Sequence, residues 1–310
     1  MKQEESRWPS RQASYERFEL VIENWADLRF IIDELGETYS SRRLYWRGAR
    51  RADWPLFSSL YLTLKEELGR SPSEQELVHA ERVILSRARH DWRYDDLSAL
   101  EIFARLQHVG GPTRLIDVTA NPLIGAWFAV EDVNDHDLHD ARLFAFASGN
   151  RQIHLHRRWA DRDPWWHMLK SNAARVATNW GTGRDIRVWT PPAYDNRIAA
   201  QQAAFILDGS PVSLTADSRG EDERSNRSWS LSEARETSSI NIRLKHVHSS
   251  ELADGATPVF TLRILAGARR QIREQLENHY GYRASAVYPD FSGLSGTLNG
   301  RPTVLVRSPS

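Results

Sequence analysis

Residues 106–131 read LQHVGGPTRLIDVTANPLIGAWFAVE, and their order fixes the local architecture as helix end, glycine pair, strand and capped helix. Upstream, Leu97, Leu100, Phe103 and Leu106 recur on one helical face. Gly110-Gly111-Pro112 stops that helix, because glycine accepts the left-handed stop conformation and proline cannot continue the ladder. Thr113 to Thr119 reads as a short buried strand. Asn121 then caps a second helix with Pro122 in the first turn, and Leu123, Ala126, Trp127 and Val130 follow the i, i+3, i+4, i+7 spacing of an apolar face. His108, Arg114, Asp117 and Thr119 are left over from packing. Asp117 and Thr119 lie two apart and share a strand face, whereas Arg114 falls on the other. They read as a carboxylate and a hydroxyl lining a cleft, with local hydrogen bonds tying the strand-to-helix turn as the structural alternative. A buried carboxylate needs a partner, and Arg47 or Arg114 would serve.

Working outward, Phe18 to Leu35 predicts a strand followed by an amphipathic helix, and Leu44-Tyr45-Trp46-Arg47-Gly48 a strand entering a glycine. Ser71-Pro72-Ser73-Glu74 opens a further helix, so two helices separate Arg47 from Asp117. Downstream, Arg142–Ala147, Ile186–Thr190, Thr257–Ile264 and Ala284–Tyr288 read as strands and Gly267–His279 as a helix. Ser210 to Ser239 is rich in Ser, Arg and Glu and reads as an exposed excursion, extending to about residue 250. Residues 1–17 form a loosely held polar segment, 18–296 one domain, and 297–310 a tail.

The chain has 310 residues, 40% hydrophobic with 12 Trp and 10 Phe, enough for a sizeable core. Lys+Arg and Asp+Glu balance at 41 each, so no global field draws in nucleic acid or an anionic membrane. The absence of cysteine removes disulfides, thiolate nucleophiles and Cys-based metal sites. No run approaches the roughly 18 apolar residues that span a bilayer. The expectation is a cytoplasmic protein with no membrane partner.

Tyr45-Trp46-Arg47-Gly48 puts a permanently charged guanidinium beside a residue that admits a close backbone or ligand, which suits bidentate capture of a phosphate. Its alternative is a solvated basic edge, since Arg42, Arg43, Arg50 and Arg51 flank it. His108 suits a helix C-terminal cap or a ligand contact. The acidic and His-bearing turn at 132–140 reads as solvated, and His246-Val247-His248 carries little weight as a zinc pair. Gln201 and Gln202 are amides inside an apolar run and need partners in backbone or ligand. Asp290 in Tyr288-Pro289-Asp290 suits a turn or a site acid. P-loop, GxGxxG, GxSxG and HExxH patterns are absent.

Together YWRG (45–48), WPLFSSL (54–60), LQHVGGPTRLIDVTANPLIGAWFA (106–129), NRIAAQQAAFIL (196–207) and AVYPDFSG (286–293) resemble the FRG domain family over about residues 20–296. Two positions depart from the family pattern: Val118 replaces a usual Trp, and Gln201-Gln202-Ala203 replaces a QG or QQG string. The resemblance implies a bacterial protein of phage-defence or toxin-like setting. The order of elements also looks like ADP-ribosyltransferases of the Arg, Ser-Thr-Ser, Glu class. That likeness implies an α+β fold with a mixed, strongly bent split β-sheet and flanking helices. It further implies NAD as substrate, held by Tyr45, Arg47, Gly48, His108, Arg114 and Gln201, with Asp117, Thr119, Gln202 and Asp290 as the catalytic set. No glutamate stands on a late strand, and Gln202 and Asp290 are the nearest substitutes. Two rival readings remain: a noncatalytic sensor binding nucleic acid or a phage protein through Arg42 to Arg51, and a nuclease holding Mg²⁺ between Asp117 and Asp290.

Overall fold

The computed structural model describes residues 15–16, 18–131, 138–149, 153, 159–212, 230–248 and 256–300. Most of the N-terminal segment, most of the acidic turn, the middle of the polar excursion and the tail beyond Gly300 lie outside the described residues.

The protein is mixed α+β, with flanking helices on an open sheet of eight strands. The strands are β1 (Glu19–Ile22), β2 (Arg43–Ala49), β3 (Ile116–Thr119), β4 (Ala141–Ser148), β5 (Arg187–Trp189), β6 (Ala203–Leu207), β7 (Arg243–Leu244) and β8 (Pro258–Ile264). Their order is β1-β8-β4-β2-β3-β6-β5, with β7 pairing parallel to β8 beside β1. β4, reading ARLFAFAS, is buried along its whole length, as a central strand covered on both faces must be.

The joint between β2 and β3 is unlike the others. β2 meets β4 through seven residue pairs and β3 meets β6 through four, whereas β2 and β3 share only Trp46↔Thr119. The sheet is thus two half-sheets joined at one rung, and the seam opens beyond it.

Helices α1 (Trp25–Thr38), α5 (Pro122–Val130) and α9 (Ala266–His279) cover one face through Leu28, Ile31, Trp127 and Ile272, against Trp46, Leu143 and Phe260. Helices α3 (Glu74–His90) and α4 (Ala99–His108) pack with the tryptophan-rich stretch on Trp189, Phe205 and Leu207 of the other half-sheet. The remaining helices are α2 (Ser59–Leu68), α6 (Asn172–Ala177), α7 (Asn196–Ala200), α8 (Leu231–Thr237), α10 (Ala284–Val287) and α11 (Phe291–Gly300).

The cap signals act as the sequence suggests. Asn121 accepts the N–H groups of Leu123 and Ile124, with Pro122 in the first turn. Gly110 takes φ +80 just after α4. The capping box of α3 lies two residues later than the quoted signature, pairing Ser73 with Glu76. Three expectations are corrected. Three helices, α2, α3 and α4, separate Arg47 from Asp117, because Ser58 caps the short α2 as well. Ala284–Tyr288 is a helical turn rather than a strand, and α11 runs through Gly296 to Gly300. The later part of the polar excursion is packed: α8 buries Ala234 and Thr237, and Ser238, Ser239 and Asn241 are buried after it.

Candidate functional site

A cavity of about 410 Å³ opens where the half-sheets part, in the size range of small-molecule sites. β2 supplies Trp46, Arg47 and Gly48 to its wall, β3 supplies Asp117 and Thr119, and α4 supplies Gln107 and His108. Two residues seventy positions apart therefore meet, Arg47 and Asp117, as the sequence suggests.

Arg47 Nη1 donates to the Asp117 carbonyl at 2.8 Å and lies 3.9 Å from its Oδ2. Its Nε and Nη2 make no hydrogen bond among the described residues. Protein surrounds the guanidinium, yet 28% of the side chain stays open through the cavity. Burial lowers the Arg47 pKa from its ordinary value, with Asp117 opposing, and a guanidinium so far above neutrality remains charged. Asp117 is not buried: its side chain is 58% exposed. Its Oδ2 accepts from Gln107 Nε2 at 2.8 Å. Gln107 is itself oriented, because its Oε1 accepts from Thr113 Oγ1 at 2.6 Å and Ser59 Oγ at 3.2 Å, which leaves the amide nitrogen facing the carboxylate.

Gly48 lines the cavity, but its lack of a side chain serves the helix. A Cβ there would overlap the Gly125 oxygen and the Ala129 nitrogen and sit 2.8 Å from the Phe128 carbonyl carbon, so glycine is what lets α5 lie on β2. Thr119 is buried in the wall, and its hydroxyl donates to the Gln201 carbonyl at 2.7 Å while accepting the Asn121 N–H at 3.0 Å. This is the turn-tying role. Gln201 lines the cavity with its amide donating to the Val287 carbonyl at 3.1 Å. His108 stands in the last turn of α4, where a basic residue suits the helix end, and its Nε2 lies 3.4 Å from Asp195 Oδ2.

Four sequence assignments do not reach the cavity. Tyr45 is buried in the core with Ile116, Phe144 and Phe146, away from the cavity. Arg114 is sealed between Glu74 and Glu81, at 2.7 Å from each, and these carboxylates outweigh the burial that would lower its pKa, holding it above the ordinary value. Trp180 and Trp166 donate to the same two glutamates, and Arg175 lies beside Glu74. Gln202 is not on a strand: it stands in a turn at φ +46 with its side chain exposed. Ala203 does not share that conformation; it begins β6, paired with Thr119. Asp290 sits at the rim, gripped by Arg197 at 2.8 and 3.0 Å and accepting the Gly293 N–H. The Asp117–Asp290 metal pair is therefore absent among the described residues, each acid having different partners.

The basic run is dispersed too. Arg42 donates to the carbonyls of Ala147 and Ala256, Arg50 pairs with Glu131 at 2.8 Å, and Arg51 pairs with Asp53 at 2.7 Å. Alternation along the strand spreads these charges over different surroundings.

Sequence reasoning passed over Gln107, Glu131, Arg197, Tyr194 and Tyr288, all on the wall. Glu131 is buried at the end of α5, meeting Arg50 through Oε1 and the Tyr288 hydroxyl through Oε2 at 3.1 Å. Burial first, then Glu131, raises the Tyr288 pKa, so that phenol stays neutral. Gln107 and Glu131 lie within the 106–131 run, and Arg197 and Tyr288 in later quoted motifs, but local spacing says nothing of their convergence.

The family model of the FRG domain matches residues 42–138. The chain carries an FRG domain. Its matched part contains Arg47, Gln107, His108, Asp117, Thr119 and Glu131, so the FRG domain supplies β2, β3 and α5 around the seam. Arg197, Gln201 and Tyr288 complete the wall from outside the match. No curated protein and no solved structure matches the chain. No helix among the described residues is long and apolar enough to cross a membrane.

Proposed function

We propose that the seam cavity binds NAD and supports ADP-ribosyl transfer or NAD hydrolysis, in a cytoplasmic protein of toxin or phage-defence type. The observation that carries this reading is the convergence of Arg47 and Asp117 on one open cavity, with donor edges of the guanidinium unspent. An arginine held by a single carbonyl keeps the fork that grips a diphosphate. Trp54, Phe128, Tyr194 and Tyr288 line the same space, and aromatic walls suit a planar base. An arginine on one strand and a hydroxyl on the next are also what the ADP-ribosyltransferase likeness implies.

The chemistry follows from the charges. In NAD the bond between nicotinamide nitrogen and ribose C1′ breaks with its electron pair leaving on the nicotinamide, and a water or acceptor oxygen forms the new bond to C1′. The intervening state is oxocarbenium-like, as in glycoside hydrolysis. Asp117 offers it a negative charge fixed by Gln107, and preorganised charge of this kind is worth more than a mobile one. Gln201 and Asp290 flank the site without a base role: the Gln201 amide donates to backbone, and Asp290 is committed to Arg197.

The test is nicotinamide release from NAD by the purified chain, with Arg47→Ala and Asp117→Ala alongside. Both variants should remain folded and lose turnover by at least about a hundredfold, the scale of losing one aligned electrostatic contact. NAD consumption equal to wild type in both would reject the reading.

A further inference from the structure

We propose that His108, Asp195 and Asp290 bind a divalent transition-metal ion of zinc type at the mouth of the cavity. The three residues each offer one ligand atom, and these atoms all lie within 4.8 Å of one another. They come from the end of α4, the N-cap of α7 and the residue before α11, so the tertiary fold brings them together. All three are half-buried rather than waving in solvent.

The carboxylates are already aimed. Asp195 accepts the Arg197 backbone N–H through Oδ1 at 2.7 Å, leaving Oδ2 turned to His108 Nε2 at 3.4 Å. Asp290 accepts the Gly293 N–H at 2.6 Å and two bonds from the Arg197 guanidinium. Outer partners of this kind hold ligating carboxylates in place, and the Oδ2 atoms of Asp195 and Asp290 each keep a lone pair for an ion. Asp195, Asp290 and Arg197 sum to one negative charge with a neutral imidazole, so a dication enters a net anionic pocket. Arg197 removes only half of the acid charge.

The donor set selects the ion. Calcium asks for six or more oxygens and magnesium keeps most of its waters, whereas one imidazole with two carboxylates suits zinc and its first-row neighbours. Three protein ligands leave a fourth position open, the pattern of reactive rather than structural zinc sites. His108 and Arg197 both line the cavity, so an ion held here would sit beside the space where a ligand would lie.

This proposal stands apart from the nucleotide reading, and its test uses no nucleotide. The purified full chain is titrated with Zn²⁺ by calorimetry and with Co²⁺ by visible absorption. Wild type should take up one ion per chain saturably, with d–d bands of a nitrogen and oxygen site. Asp195→Asn, which keeps the N-capping oxygen, and His108→Ala should each weaken binding by at least about tenfold. Arg47→Ala, in the cavity but not a ligand, should bind as wild type does. No saturable uptake by wild type, or equal uptake by Asp195→Asn and His108→Ala, overturns the proposal.

Discussion

Arg47 and Arg114 pose the same chemical problem, a guanidinium that needs an anion, and the fold solves it in opposite ways. Arg114 is sealed with Glu74, Glu81 and two indoles, every direction closed. Arg47 touches one carbonyl squarely and one carboxylate loosely, with donor edges toward open space. A saturated ion pair in the interior fixes structure, whereas an unsaturated one beside a cavity is available for a ligand. Arg47 lies on β2 and Arg114 stands just before β3, and residue type does not separate their roles; saturation does.

The largest break in this comparison is expected at Arg114. Arg114→Met leaves two glutamates buried and short of a partner, and should cost about 3–5 kcal/mol in urea unfolding. A loss below about 1 kcal/mol would mean that water or Arg175 compensates, and the sealed region would then be no stiffer than the seam. Its pH behaviour has two signs. Glu81, held down to about 2 despite burial by Arg114 and His167, contributes stability above its ordinary pKa that is lost as pH falls from 4.5 towards 2. Asp208 works the other way.

Asp208 is buried, and although Arg187 and the N–H groups of Gly181 and Gly209 face it, desolvation pushes its carboxyl up to about 7. The native state therefore keeps a proton that the unfolded chain has lost between pH 3.8 and about 7, and stability falls as pH rises across that window. Asp208→Asn should flatten this slope, gaining on wild type by up to on the order of a few kcal/mol by pH 8. Thermal melts of both proteins between pH 4 and 8 check it, and parallel curves would show Asp208 ionised in its place. The smallest effect is expected at Arg47, where Arg47→Ala should shift stability by less than about 1 kcal/mol, because its ion pair is long and open to water. A loss near that of Arg114→Met would erase the contrast.

How far the sequence carries this picture depends on whether a signal is local. Asn121-Pro122 and the Leu123, Ala126, Trp127, Val130 stripe predict α5, since cap and stripe lie within one helix. Asp117 and Thr119 fall on one face by strand alternation, and Arg47 reaches the same cavity as expected. The partners of Arg114 are not legible: Glu74 and Glu81 lie on α3, well upstream in the chain, and charge alone makes Arg47 and Arg114 equally reasonable mates for Asp117. The ASAVY run at 284–288 has the length and branching of a strand, but only strand neighbours decide such short runs, and it folds as a helical turn. Gln202 reads as continuous with the strand after it, yet its positive φ turns the chain there and leaves Ala203 to begin the pairing.

The lone rung between Trp46 and Thr119 has a mechanical corollary. Elsewhere neighbouring strands are zipped by two to seven rungs, and separating them would tear more backbone hydrogen bonds together. Along the seam, the breadth of the cleft is governed instead by side chains: the reach of Arg47 to a carbonyl, the grip of Gln107 on an acid, and the seating of α5 on a glycine. Parting the two halves along this line would cost few strand-to-strand bonds, so the sheet itself resists widening of the cleft less here than at its other joints.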